Sequence, residues 1–303
     1  MRRFLSLLII LTILVISLPI SQQVFAQVWR PVKGGIFFGI SGMALVKQQS
    51  NTLDLLIVHD NKEKDRGRLA IIRIQDKNQP EYFPLQWPSN IDLPIDLEAV
   101  TSVTEKNNLS FMALSSFGKV YHLKITNDDK NVEIIKVFDL PNVPQGSNFE
   151  GFALQEIDGK LLAVWAHRGD GKESAIIYWG VLDLAGYQIG QIGFTNLIVP
   201  WPTSNVRHIS DLKIDSAGIL FISSTSDPGN DGPFDSAVYV AGAFGVSGNA
   251  IAFRQNPQLV PLYRYKYHKV EAIELVPGAN GGVIVGTDDE NMGASIYISG
   301  SSD

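Results

Sequence analysis

Three glutamates, Glu98, Glu150 and Glu271, occupy the same place in a short motif that recurs along the chain. Each follows an apolar residue and precedes a small residue and then a second apolar one. Carboxylates brought together repel each other, so each raises the proton affinity of the others unless a cation or hydrogen-bond donors compensate. Ca²⁺ takes several oxygen ligands, and Asp288 could complete such a set. The motif therefore predicts a divalent metal site, with Ca²⁺ as the favoured ion.

Polar residues also recur at a nearly fixed distance after the motif. The residues that follow its second position by seventeen positions, or by eighteen in the first copy, are His59, Ser115, His167, Asp227 and Asp288. His167 could act as a base, and the adjacent Arg168 offers a fork of donors to an anion. A metal, a histidine and an arginine together favour hydrolysis of a phosphate or carboxylic ester through activated water.

Further polar residues are predicted to bind a ligand beside these groups. They are His59, Asp60, Ser115, Asp211, Asp227 and His268. Lys269, Asp289 and Glu290 flank the same positions. A cluster of titratable groups in one place is typical of a functional site.

The elements that would position these side chains are short strands. Runs rich in Val, Ile, Phe and Tyr alternate with clusters of Gly, Asn, Asp, Ser and Pro, and long helical periodicity is absent. The motif occurs five times, with second residues 57, 52, 60 and 61 positions apart. Its copies are Ile40–Met43, Leu97–Val100, Phe149–Phe152, Ile209–Leu212 and Val270–Ile273. Further apolar runs follow each copy, which is typical of four-stranded propeller blades.

The repeat predicts an all-β propeller of five blades in one domain, residues 27–303. The last copy ends soon after its third strand, so we expect the segment from Val28 to Phe38 to supply the outer strand of the last blade. Closing the ring in this way removes an exposed sheet edge. A sixth, degenerate blade within residues 241–267 is the alternative, and a β-sandwich is a weaker one because it does not explain similar copies.

In a propeller, the first strand of every blade lines the axis. The start of that strand and the end of the second strand emerge on one face, so the polar residues above should converge on one mouth. A glutamate at the start of an inner strand could instead accept backbone N–H bonds from the next blade and hold the blades together. For each single glutamate this structural role is at least as well supported by the sequence.

The N-terminus and the composition indicate where the protein works. Arg2 and Arg3 precede an apolar run that ends near Ile20, and Val24-Phe25-Ala26 suits a signal peptidase. We therefore expect residues 1–26 to be a cleaved signal peptide and the mature protein to be periplasmic or secreted. The formal charge of −6 argues against nucleic acid or an anionic membrane as a partner. The chain has no cysteine, which excludes disulfides and thiol nucleophiles.

The segments Asp96–Val100, Phe149–Leu154 and Val270–Ile273 resemble blade starts of bacterial exported propellers described as phytase-like or esterase-like. The Glu150-Gly151 step is also similar to gluconolactonase and paraoxonase-type propellers. The resemblance implies a propeller, a Ca²⁺ cofactor and hydrolase activity. Two functions stay open: a metal-dependent hydrolase of phosphate or carboxylic esters, and a non-catalytic envelope module that binds a peptide, a glycan or a partner protein.

Overall fold

Twenty-one strands make up almost all of the regular structure in the computed structural model. The structure describes residues 28–75, 78–105, 108–126, 128–276 and 282–299. The predicted signal peptide lies outside these residues and stays a prediction. Within the described part of the chain, no helix is long and apolar enough to cross a membrane. The strands form five separate sheets, each antiparallel, so the predicted five-bladed propeller is confirmed.

Blades 1 to 3 each contain four strands in chain order from the axis outward. Blade 1 consists of β2 (Gly42–Gln49), β3 (Thr52–Val58), β4 (Leu69–Gln75) and β5 (Glu81–Leu85). Blade 2 consists of β6 (Leu97–Glu105), β7 (Asn108–Ser115), β8 (Lys119–Ile125) and β9 (Val132–Asp139). Blade 3 consists of β10 (Phe149–Ile157), β11 (Lys160–His167), β12 (Ala175–Asp183) and β13 (Gln188–Leu197).

Blade 4 has a divided outer edge. It consists of β14 (Val206–Ile214), β15 (Ile219–Ser226), β16 (Asp235–Ser247), β17 (Ala250–Gln255) and β18 (Pro261–Lys266). The N-terminal part of the long β16 pairs with β18, and its C-terminal part pairs with β17. The residues of the six-blade alternative therefore belong to the edge of blade 4.

The first strand of the chain completes the last blade, as predicted. Blade 5 consists of β19 (Val270–Val276), β20 (Gly282–Thr287), β21 (Ala294–Ser299) and, outside them, β1 (Arg30–Lys33). Arg30 pairs with Ile296 in an antiparallel register. Two short 3₁₀ helices, η1 (Ile36–Phe38) and η2 (Glu290–Met292), lie beside the closed edge.

The recurring motif forms a β-bulge near the start of the inner strand in blades 2 to 5. In blade 2, Leu97 lies opposite Ser115 and Ala99 lies opposite Leu114, so Glu98 is the additional residue. The same shift occurs at Glu150 and Glu271. A bulge bends its strand and redirects one side chain. Because the additional residue shifts the alternation of side chains, the first and fourth residues of the motif face the same neighbouring blade, and both are apolar.

The four positions of the motif face three different parts of the fold. The first and fourth residues pack against the preceding blade, as Leu97 and Val100 do in the core shared by blades 1 and 2. The third residue faces the following blade, as Ala99 does in the core shared by blades 2 and 3. The second residue is left to point toward the axis. Five such cores, one between each pair of neighbouring blades, hold the ring together.

The third position has no room for a larger side chain in blade 1. A Cβ added to Gly42 would lie 2.8 Å from Ala99 Cα and 3.0 Å from the Glu98 carbonyl oxygen, which are backbone atoms of blade 2. We expect Gly42→Ala to destabilise the protein by about 1–3 kcal/mol, because the two blades must separate slightly. Denaturation in urea measures the effect.

Gly67→Ala is the matched control, since a Cβ there would meet nothing within 4 Å. Equal stability of the two variants would contradict the proposed close contact between blades 1 and 2.

Candidate functional site

Five equivalent side chains point toward the axis at the face where the inner strands begin. They are the second residues of the motif: Ser41, Glu98, Glu150, Ser210 and Glu271. All five are buried. The hydroxyls of Ser41 and Ser210 have no hydrogen-bond partner among the described residues. We call this region the mouth, and it also includes the residues that end the second strands.

A buried ammonium neutralises the mouth on the side of blade 5. Lys269 Nζ lies 3.1 Å from Glu271 Oε1, 2.5 Å from Glu290 Oε1 and 3.6 Å from Asp288 Oδ2. Burial alone would lower the pKa of Lys269, but the surrounding carboxylates outweigh burial and raise it. Lys269 therefore stays charged and compensates several acidic groups at once.

A second cation, Arg207, joins blade 4 to the same network. Its Nη1 donates to Glu271 Oε1 at 2.9 Å, and its Nη2 donates to Asp227 Oδ2. Burial raises the pKa of Asp227, but Arg207 and Lys269 outweigh burial and hold the pKa below its ordinary value. Asp227 is therefore ionised at neutral pH.

Sequence reasoning did not identify Arg207, because the bulge of blade 4 is longer than the others. Arg207 lies opposite Thr225, whereas Asp211 already lies opposite Ser223. Lys269 precedes Glu271 by two positions. The residue two positions before Ser210, the equivalent of Glu271 in blade 4, is His208 and not Arg207. That histidine turns away from the axis, with its Nε2 3.0 Å from the Gly171 carbonyl oxygen. Only the pairing register shows which residue faces the mouth.

Blade 3 contributes the predicted pair His167 and Arg168. Arg168 Nη1 donates to Glu150 Oε1 at 3.2 Å, so the arginine lies at the mouth. Burial raises the pKa of Glu150 although the Arg207 and Arg168 guanidinium groups oppose the rise. His167 Nδ1 accepts the Asn148 N–H at 3.0 Å, which fixes the ring beside the start of β10. Their catalytic roles stay predictions.

Two carboxyl groups on the side of blades 1 and 2 are not paired with a cation among the described residues. Neither Glu98 nor Asp60 has a hydrogen-bond or ion-pair partner within the part of the chain that the structure describes. Burial, then Glu150 and Asp60, raise the pKa of Glu98 well above its ordinary value. Burial, then Glu271 and Asp96, raise the pKa of Asp60 to about 6. The Lys269 and Lys62 ammonium groups offset this rise only in part, and Lys62 itself pairs with Asp96 at 3.1 Å.

Two predicted ligand-binding residues instead stabilise local structure. His59 is buried, with Nδ1 2.6 Å from the Gly39 carbonyl oxygen and Nε2 3.0 Å from the Tyr82 hydroxyl. Burial lowers the pKa of His59 to about 4, so its ring is neutral at pH 7. Ser115 Oγ accepts the Lys119 N–H at 3.2 Å and stabilises the turn between β7 and β8.

Asp211 does not lie at the mouth. It occupies the third position of its motif and faces blade 5, where its carboxylate accepts the Ile273 N–H at 2.8 Å. Burial raises the pKa of Asp211 to about 7, and the nearby Lys213 ammonium opposes that rise. Asp211 therefore connects two blades where the other copies have Gly or Ala.

His268 lies at the rim of the mouth and is held from both sides. Its Nδ1 is 2.7 Å from Asp289 Oδ2. Its ring stacks on Trp29 with centroids 3.9 Å apart. The histidine thus fixes the start of the closing strand beside Lys269.

The acidic residues predicted to bind Ca²⁺ are not arranged as a metal site. Among the described residues, no group of three or more His, Asp or Glu side chains could hold a metal ion. Glu150 and Glu271 instead pair with side-chain cations, and Asp288 faces Lys269. Burial and Glu271 raise the pKa of Asp288, which opposes its ionisation further. These residues do not fit a Ca²⁺ ion as they stand.

Substitution of Lys269 tests whether its buried ammonium group neutralises the carboxylates of the mouth. We expect Lys269→Met to destabilise the protein by about 3–5 kcal/mol at neutral pH, because it leaves Asp288 buried without a cation and Glu271 with Arg207 as its one paired cation among the described residues. The loss should shrink at acidic pH, because burial raises the pKa of Asp288 and its carboxylate then takes up a proton. Urea denaturation at both pH values measures the difference.

Lys266→Met provides the control, since Lys266 forms an exposed pair with Asp235. Such pairs contribute about 1 kcal/mol or less. The account fails if the two variants are equally stable.

Neither a protein-family model nor a curated protein sequence matches the chain. Solved structures do resemble it. An endo-1,4-β-xylanase from Bacteroides thetaiotaomicron aligns over 88% of this chain and 92% of its own, with a TM-score of 0.56 and 9% identity. An α-L-arabinofuranosidase from Podospora anserina, solved with cellotriose, covers 90% and 96% with a TM-score of 0.53 and 8% identity.

An exo-1,5-α-L-arabinanase from a bovine ruminal metagenomic library is similar over 88% of this chain and 94% of its own, with a TM-score of 0.51 and 9% identity. At such identities the likeness shows the fold alone. It nevertheless shows that the resemblance to phytase-like, esterase-like and gluconolactonase-type propellers was wrong. The bulge directs the second residue of the motif to the axis, and blade packing favours a small third residue, so a Glu-Gly step does not distinguish these families. The chain is a five-bladed propeller that resembles glycoside hydrolases.

Proposed function

We propose that the protein is a glycoside hydrolase whose active site is the mouth, with Glu98 as general acid and Asp60 as general base. The observation that carries the proposal is the presence, on one side of the mouth, of two carboxyl groups that have no hydrogen-bond or ion-pair partner among the described residues and whose pKa values are both raised. Glycoside hydrolysis commonly uses two carboxyl groups, one as acid and one as base, and burial tunes their pKa values for these roles.

Glu98 suits the role of the acid. Because burial and the neighbouring Glu150 and Asp60 disfavour its charged form, the pKa of Glu98 is raised well above its ordinary value, and the carboxyl keeps its proton to higher pH than an exposed glutamate does. A protonated carboxyl can donate to the oxygen of a glycosidic bond as that bond breaks. The bulge at Glu98 directs the side chain to the axis.

Asp60 suits the role of the base. It follows the end of β3, is only partly buried, and has a pKa of about 6. Near neutral pH it is ionised and still basic enough to accept a proton. Asp227, by contrast, is paired with Arg207 and is a weaker proton acceptor.

The proposed reaction is hydrolysis of a glycosidic bond. Glu98 transfers its proton to the leaving oxygen while the bond from that oxygen to the anomeric carbon breaks. Asp60 takes a proton from the water that attacks the same carbon. The charge on the pair is restored when the proton returns from Asp60 to Glu98 through solvent.

The names of the similar structures support a glycan substrate. They are a xylanase, an arabinofuranosidase solved with cellotriose and an arabinanase, all of which by name act on or bind saccharides. Phosphate and carboxylic esters, which the sequence pattern favoured, gain no support from the structure or these relatives. We therefore replace them by a glycan.

A non-catalytic glycan-binding propeller is the second candidate. The ion pairs of Glu150 and Glu271 favour it, because Arg168, Arg207 and Lys269 give these carboxylates a structural role. In that case the mouth would bind saccharides without cleaving them.

Substitution of the proposed pair tests catalysis. We expect the wild type to cleave linear arabino- or xylo-oligosaccharides, and Glu98→Gln and Asp60→Asn to lower kcat by about 10²–10⁴-fold. Chromatography of the released sugars measures turnover. Glu156→Gln, an exposed residue on the same strand as Glu150, is the control and should retain full activity. Saccharide binding with no turnover by the wild type would favour the second candidate.

The pH profile gives an independent test. Asp60 must be ionised to act as a base, so activity should fall as the pH drops through about 6. Glu98 must be protonated, so activity should also fall at higher pH, where that proton is lost. The rate of hydrolysis, measured across pH at low substrate concentration, should therefore be bell-shaped. A profile that stays flat down to pH 4 would exclude Asp60 as the base.

A further inference from the structure

Two aromatic side chains stand exposed on the face that carries the mouth. Phe117 is 65% exposed and Tyr267 is 71% exposed. Phe117 lies on the turn between β7 and β8, and Tyr267 lies between β18 and β19. Both turns lie on the mouth face, because the second strand of a blade ends there and the inner strand begins there. Large apolar side chains exposed beside a polar site often mark a binding surface.

Tyr267 is held in this exposed position against a backbone preference. Its φ is +67°, in the left-handed region that bulky residues rarely adopt. Its N–H donates to the Phe234 carbonyl oxygen at 2.7 Å, and His268 follows it directly. A left-handed residue other than glycine costs roughly 1 kcal/mol or more, and such strain concentrates at functional sites. Folding alone would favour a glycine here.

Phe117 is positioned by a rigid turn next to the mouth. Ser116 Oγ donates to Asp96 Oδ2 at 2.6 Å, and the Ser116 carbonyl oxygen accepts the Phe149 N–H at 3.0 Å. The turn therefore connects the residues just before Glu98 with the start of the inner strand of blade 3. The aromatic ring itself remains in solvent.

We propose that Phe117 and Tyr267 are stacking platforms for an extended glycan chain that crosses the mouth between blades 5 and 2. The inference rests on the glycan of the proposed function and makes the ligand a polysaccharide rather than a single sugar. The C–H faces of a sugar ring pack on an aromatic ring while its hydroxyls stay hydrated. Two separate aromatics divided by charged groups suit such a ligand better than a protein, whose interface needs a contiguous apolar centre.

Binding of short and long probes tests the proposal. The probes are disaccharides and hexasaccharides of the linear β-1,4-xylose and α-1,5-arabinose series, measured by calorimetry with the Glu98→Gln protein so that no probe is cleaved. We expect Phe117→Ala and Tyr267→Ala each to weaken hexasaccharide binding about three- to tenfold and to leave disaccharide binding unchanged.

Phe194→Ala is the matched control. Phe194 is 67% exposed but lies on β13, on the outer edge of blade 3. Its removal should not change the affinity for any probe. Equal effects of the three alanine variants, or equal affinity of the wild type for short and long probes, would overturn the inference.

Tyr267 also allows a test that separates binding from folding. Tyr267→Gly should leave Tm unchanged or raise it, because glycine accepts the left-handed backbone, while hexasaccharide affinity falls as in Tyr267→Ala. Tyr267→Phe should retain the affinity. A Tyr267→Gly protein that binds the hexasaccharide as well as the wild type would refute a role for the ring.

The outcomes distinguish this inference from the proposed function. If hexasaccharide binding depends on both rings but the wild type shows no turnover, the platforms are supported and the proposed hydrolase activity is wrong. Turnover by the wild type, together with hexasaccharide binding that does not depend on the rings, supports the hydrolase and rules out the platforms. If no hexasaccharide of either series binds, the inference is wrong.

Discussion

The β-bulge near the start of the inner strand, present in blades 2 to 5, determines the rest of the structure. A regular strand would alternate its side chains between the two neighbouring blades and send none to the axis. The additional residue lets two apolar side chains, such as Phe149 and Phe152, pack against the same blade while Glu150 points inward. Blade packing and the polar lining of the mouth therefore come from a single local irregularity. Neither can change without the other.

This arrangement brings more carboxylates together than their mutual repulsion allows, and the two halves of the mouth respond differently. On the side of blades 3 to 5, arginine and lysine side chains keep the acids charged and fixed. On the side of blades 1 and 2, neither the Glu98 nor the Asp60 carboxyl has an ion-pair partner among the described residues, and burial raises the pKa of both. Fixed ion pairs and exchangeable protons therefore lie side by side. That division separates the groups that hold the ring together from those free to react.

Much of the fold could be predicted from the sequence, because the repeat reports packing directly. The apolar first and fourth residues, the five copies and the incomplete last blade led to the number of blades and to ring closure by the N-terminal strand. The position of Glu98, Glu150 and Glu271 at the axis followed from the same register. These features depend on local spacing, which a single sequence contains.

The partners of those glutamates could not be predicted in the same way. The longer bulge of blade 4 replaces His208 with Arg207 at the mouth, and no motif marks that shift. Asp211 looked like a mouth residue, but the third position of the motif faces a neighbouring blade. The closing strand has a different consequence. Because β1 pairs with a strand from the opposite end of the chain, the last sheet is completed only after the whole chain is available. The entropy of closing a loop rises only slowly with its length, so joining distant ends costs little more in stability than joining near ones. The effect is on the folding rate, because contacts between distant residues form late and slow folding.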